Sequence, residues 1–192
     1  MNLADRLTSS RLLLAPLFFA VFFWGEPLGL GSGVAAVLLF VLFGLIEVSD
    51  FLDGKAARSA GTVSAFGKLF DPFADVIARV TYFVCFAFSG IMPLWALLVI
   101  LYREFGILFL RMLLAERGIA MGARPGGKLK AVVYMLAGIA SLVLWSLPRL
   151  GLFTEAAAWL SPAVYGLYVL AAVLSLASFA DYVIQFRKLV RA

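Results

Sequence analysis

The feature that most restricts this chain is a series of long stretches without a charged residue, at 12–25, 27–46, 80–102, 131–148 and 156–180. A helix needs about 20 apolar residues to cross roughly 30 Å of hydrocarbon, where only helices and closed barrels satisfy their backbone polar groups. Most of these stretches reach that length once their flanks are added. Hydrophobic residues make up 64% of the 192 and charged residues 14%, against about 45–50% and about 25% in soluble domains, so a water-soluble fold is excluded. Gly90-Ile91-Met92-Pro93 interrupts the central apolar region, because this spacing favours a turn over a continuous helix. The expected fold class is all-α integral membrane, with six transmembrane helices near 11–25, 33–57, 66–88, 94–115, 128–147 and 160–186. Segment 1–10 is expected as an N-terminal interfacial helix, not a signal peptide. With no linker-like stretch, residues 1–192 are expected to form a single membrane domain.

Basic residues orient such a chain. Arg6, Arg11, Lys55, Arg58, Lys68, Arg111, Arg117, Arg124, Lys128, Lys130, Arg187, Lys188 and Arg191 fall on one side, and Arg149 alone on the other. The positive-inside rule then puts both termini and the loops 58–66 and 115–128 in the cytoplasm, as expected of a protein of the cytoplasmic (inner) membrane. The excess of 16 Lys+Arg over 11 Asp+Glu has no polar face on which to gather, so membrane lipid or a phosphorylated substrate is the expected partner and nucleic acid is not. The absence of histidine removes imidazole bases, Ser-His-Asp triads and imidazole-based zinc sites. Cys85 lies alone in an apolar run and reads as filler, while Trp24, Trp95, Trp145 and Trp159 read as head-group anchors at the outer helix ends. No internal repeat is visible, which weakens a transporter reading.

Chemistry concentrates in the acids. Four of the six aspartates, Asp50, Asp53, Asp71 and Asp75, fall in one 26-residue window at the cytoplasmic end of two apolar helices. The i, i+3 and i, i+4 spacings put each pair on one helix face, and two such faces opposed would gather four carboxylates around one small volume. Four like charges at a bilayer boundary repel and resist desolvation, and one or two hard divalent cations, magnesium or manganese, would relieve both costs. The alternative is a solvated rim in which the acids cap helices or pair with Lys55, Arg58, Lys68 and Arg79. Gly54 and Ala57 leave room beside the acids for a ligand or a neighbouring backbone, and Gly67 does so one turn before Asp71.

The string Asp50-x2-Asp53-Gly54-x2-Ala57-Arg58-x8-Gly67-x3-Asp71-x3-Asp75 resembles the signature of the CDP-alcohol phosphatidyltransferases at all eight fixed positions. The stretches Leu7-Thr8-x2-Arg11-x4-Pro16, Phe66-Gly67-Lys68-x2-Asp71-Pro72-x-Ala74-Asp75, Arg103-Glu104 and Gly127-Lys128-x-Lys130 resemble the branch of that family that uses sn-glycerol 3-phosphate. Three positions depart from the branch: Val76 stands where a lysine is usual, Ala131 where a threonine is common, and Arg6 where an asparagine is usual.

The resemblance implies displacement of CMP from CDP-diacylglycerol by sn-glycerol 3-phosphate. Asp50, Asp53, Asp71 and Asp75 are its implied ligands for a pair of Mg2+ or Mn2+ ions, and Asp75 its general base. Asp50, Gly54, Ala57, Arg58 and Gly67 are expected around the nucleotide and the CDP-lipid. Arg103, Arg111, Lys128 and Lys130 are candidates for the acceptor phosphate, with Glu104 as a partner for one of these cations and Arg79 for Asp75 or Glu47. A homodimer packed through membrane helices is also implied. The same chemistry with inositol phosphate or serine, and more remotely a cation transporter with an acidic site, stand as alternatives.

Overall fold

In a computed structural model, the described backbone covers residues 3–60, 65–119, 125–152 and 154–191, and the described side chains are those of 8–50, 52, 70–119, 129–152, 155 and 157–190. Among these residues the chain forms six helices: α1 (Leu3–Trp24), α2 (Ser32–Ala60), α3 (Ala65–Phe88), α4 (Leu94–Glu116), α5 (Pro125–Arg149) and α6 (Thr154–Arg191). The turn expected between the third and fourth helices is present, and its hydrogen bonds explain it. Gly90 adopts φ 76°, which a residue with a side chain rarely does. Its N–H donates to the Ala87 carbonyl and that of Ile91 to the Phe86 carbonyl, closing the last turn of α3. Pro93, at φ −63° and ψ 132°, then starts α4.

Six transmembrane helices are not what the structure supports. Among the described residues three stretches are long and apolar enough to cross a membrane, Ser32–Asp50, Leu129–Arg149 and Ala157–Val190. These make the chain an integral membrane protein. The apolar stretch of α1, Thr8–Trp24, is shorter. The charge-free run 80–102 is divided by the turn, so neither half reaches spanning length. Every stretch of 18 residues or more in α3 includes Asp71, Asp75 and Arg79, and every such stretch in α4 includes Arg103, Glu104 and Arg111. Among the described residues, 3–10 is not a helix of its own, because α1 runs unbroken from Leu3 into the apolar segment.

The helices pack as a bundle in which α1 lies against both α2 and α3, α4 against α3 and α6, and α5 against α2, α3 and α6. Aromatic residues fill its middle. Phe18 meets Phe22, Tyr82 and Phe86, Phe43 meets Tyr82, and Phe83 lies against Tyr134 and Tyr168. Cys85 is fully buried among them. Outward faces are apolar too, with Val37, Leu45, Phe105, Phe109, Val173 and Leu176 exposed, whereas Arg11, Arg79, Arg103, Glu104 and Lys130 are buried. A surface of this kind suits lipid, and charges in lipid belong inside the bundle against partners. Trp24, Trp95 and Trp159 are exposed, but Trp145 is not the head-group anchor expected of it. Its ring is buried against Phe22, with the Arg149 guanidinium 3.9 Å from its centroid.

Candidate functional site

The last turns of the described part of α2, the first turns of α3 and the N-terminal part of α1 come together at one end of the bundle. Asp50 comes from α2, Asp71 and Asp75 from α3, and Arg11 from α1. The Arg11 guanidinium donates to Asp50 Oδ1 at 3.0 Å and to Asp71 Oδ1 at 2.5 Å, and lies 3.5 Å from Asp75 Oδ1. Arg79, one turn along α3 from Asp75, donates to Asp75 Oδ2 at 2.6 Å and reaches across to Asp50 Oδ2 at 3.1 Å. The carboxylates keep a route to the outside, with 34%, 46% and 22% of the Asp50, Asp71 and Asp75 side chains exposed, while the Arg11 side chain is wholly enclosed.

The pairing of Arg79 with Asp75 is as expected, and Glu47 is taken instead by the Tyr82 hydroxyl, which donates to it at 3.1 Å. Arg11 is the residue that sequence reasoning undervalued. It was legible only as a cytoplasmic positive charge and as part of a resemblance. A usable signal existed, because the positions three and four residues away are Leu7, Thr8, Leu14 and Ala15. None is acidic, so an arginine at the edge of an apolar helix must find its counter-charge on another helix.

Asp53, Gly54, Ala57 and Arg58 lie in α2, Gly67 in α3 and Lys128 in α5, but their side chains lie outside the described residues. Asp50, Asp71 and Asp75 offer only hard oxygen donors, the ligand type that Mg2+ and Mn2+ prefer. They are reachable, and they already converge on one positively charged group. Among the described residues no set of three or more acids, cysteines or histidines is arranged to hold a metal. The donor type suits a divalent cation, but in this arrangement the Arg11 guanidinium bridges Asp50 and Asp71.

A second polar cluster lies between α4, α5 and α6. The buried Glu104 accepts from Arg103 Nη1 at 2.7 Å and from Lys130 Nζ. Arg103 Nε donates to Ser178 Oγ at 3.2 Å, and the Lys130 ammonium sits 4.7 Å from the centroid of Tyr134, whose hydroxyl is bonded to Ser175. The two clusters lie on neighbouring helices, since α3 packs against both α4 and α5. Arg111 is engaged elsewhere: its Nε and Nη2 both donate to the Tyr182 hydroxyl, at 3.1 and 2.9 Å, tying α4 to α6. The structure thus brings Arg103 and Lys130 together around Glu104 and sets Arg111 against a different partner.

A family model described as CDP-alcohol phosphatidyltransferase matches residues 1–176. The CDP-diacylglycerol–glycerol-3-phosphate 3-phosphatidyltransferase of Treponema pallidum is 44% identical over 198 residues, covering 97% of this chain and 89% of that protein. The protein of the same description from Bacillus subtilis is 32% identical over 154 residues, 77% of this chain and 79% of its own length. A cardiolipin synthase (CMP-forming) of Streptomyces coelicolor is 33% identical over 203 residues, 100% of this chain and 86% of that protein.

Proposed function

Because this chain belongs to the CDP-alcohol phosphatidyltransferase family, we propose that it moves the phosphatidyl group of CDP-diacylglycerol to sn-glycerol 3-phosphate, giving phosphatidylglycerophosphate and CMP. The observation that carries the reading is the 44% identity to the Treponema enzyme over 97% of the chain. The convergence of Asp50, Asp71 and Asp75 beside a buried pair of cations, Arg103 and Lys130, supports it. The whole chain, residues 1–192, acts as one catalytic unit in the cytoplasmic membrane, with the acids facing the cytoplasm, where soluble acceptor and CMP are exchanged. Two copies pair through their apolar helix faces.

Asp50, Asp53, Asp71 and Asp75 would hold one or two Mg2+ or Mn2+ ions at the diphosphate. When bound, such ions neutralise charge on the phosphoryl oxygens and stabilise departing CMP. Asp75 takes the proton from the attacking hydroxyl, and Arg79 fixes the orientation of its carboxylate. Gly54, Ala57 and Gly67 give the nucleotide and the CDP-lipid a close approach to the backbone, and Arg58 offers its fork of donors to phosphate. The acyl chains stay among the apolar outer faces, so the protein recognises the head group alone. Arg103 and Lys130, held by Glu104, meet the acceptor phosphate together with Lys128, while Arg111, bonded to the Tyr182 hydroxyl, stays apart from them. A phosphorylated acceptor fits so many cations better than serine does.

CMP release from CDP-diacylglycerol by the purified protein in detergent tests this directly, with glycerol 3-phosphate, inositol 1-phosphate, serine or phosphatidylglycerol supplied in parallel. Release with glycerol 3-phosphate, lost on chelation with EDTA and restored by Mg2+ or Mn2+, is the expected result. Release with another acceptor alone would overturn the assignment of the alcohol, and release unaffected by chelation would overturn the metal role of the aspartates.

A further inference from the structure

Arg11 occupies an unusual place for a group with no assigned part in the chemistry. Its side chain is 0% exposed, it comes from a helix whose described residues contribute no acid to the cluster, and it bonds to one oxygen of Asp50 and one of Asp71 while standing 3.5 Å from one of Asp75. A hard divalent cation would draw its oxygen ligands, at about 2.0–2.1 Å for magnesium, from these same carboxylates. A lone pair donated to a guanidinium hydrogen is not available to a metal, and two cations a few ångströms apart in a partly desolvated site repel strongly. Arg79 is placed differently. It is anchored one turn from Asp75 on the same helix, and it uses the Oδ2 atoms of Asp75 and Asp50, leaving their Oδ1 atoms to Arg11.

We infer that Arg11 is the resident counter-cation of the carboxylate cluster and competes with the divalent cation for it, so that metal loading and withdrawal of the Arg11 guanidinium from Asp50 and Asp71 are one event. The inference rests on the reading of these aspartates as metal ligands. Without metal, the arginine spares the fold a set of unpaired acids at the bilayer boundary and holds α1 against α2 and α3. With metal, the same oxygens turn from nitrogen to the ion, and α1 loses that tie. Metal affinity is then lower than the acids alone would give, because each ion displaces a charged hydrogen-bonding group.

Mn2+ binding, followed by the loss of the free-ion electron paramagnetic resonance signal, separates the possibilities on the whole purified protein in detergent after chelation. Arg11→Met is expected to bind Mn2+ at least tenfold more tightly than the natural protein, and Arg11→Lys to fall between, since an ammonium cannot bridge both acids as the planar fork does. Unchanged or weaker binding by Arg11→Met would overturn the competition. If the natural protein bound no Mn2+ at all, the metal reading itself would fail, a result distinct from failure of the Arg11 step. Should Arg11→Met not fold, the natural protein still decides: phenylglyoxal modification mapped by mass spectrometry should label Arg11 faster with Mn2+ than without, and equal labelling would sink the withdrawal.

Discussion

At the scale of single residues, the chain holds opposite charges face to face. Asp75 shares its two oxygens between Arg79 and Arg11, and Asp50 does the same. Asp75→Asn keeps the side-chain shape, and Arg79 keeps Asp50 as a partner, so thermal unfolding in detergent should change little while CMP turnover falls by about 10²–10⁴-fold, the usual worth of a general base. Turnover within tenfold of the natural protein would remove Asp75 from that role. Glu104 is the opposite case, a residue whose first task is to neutralise two buried cations. Glu104→Ala leaves Arg103 and Lys130 facing each other without a counter-charge, and should lower stability by about 3–5 kcal/mol, seen as a drop in the detergent melting temperature. Adding Lys130→Met should recover part of that loss. The common face of Asp71 and Asp75 was legible in the sequence because both lie in one helix, where 3.6 residues per turn fixes who shares a face. Arg11 and the Glu104 cluster join residues 26 to 75 positions apart in the chain, and no local periodicity reports such pairings.

At the scale of helices, close crossings decide the packing. A Cβ placed on Gly138 of α5 would come within 2.6 Å of the Phe43 ring of α2, and that ring is itself held against Tyr82. Gly138→Ala should therefore cost about 1–3 kcal/mol through overpacking, read as a lower melting temperature, with Phe43→Leu in the same chain restoring most of it. In the sequence Gly138 is one small residue within an apolar run, and nothing local names Phe43 as its partner. The sequence also overcounted spanning helices. Charge-free length is a sound guide where one run makes one helix, as in α2, but the run 80–102 is shared by two helices with charged halves, and adding flanks concealed that. Trp145 misled for a related reason: position along a helix sets its depth in the membrane, whereas burial depends on which way the ring faces the bundle.

At the scale of the molecule, apolar outer faces surround an aromatic middle, and the carboxylate cluster with its arginines lies at one end. If that end faces the cytoplasm, the turn between α1 and α2 faces away from it. The native Cys85 is buried, so it should stay silent toward a membrane-impermeant maleimide. Arg117→Cys should react when the reagent is on the cytoplasmic side of sealed vesicles, and Leu28→Cys, at an exposed turn position, when it is on the other. The reverse pattern would overturn the orientation. The bridge from Arg11 to Asp71 also bears on synthesis, since the two are 60 residues apart. At roughly 5–20 residues per second, the ribosome emits the arginine several seconds before the aspartate. Through that interval the nascent α1 lacks Asp71, one of the acids that answers its charge, so it is expected to wait at the membrane surface and to settle into the bundle only when α3 arrives. The first helix made would then be among the last to reach its final depth.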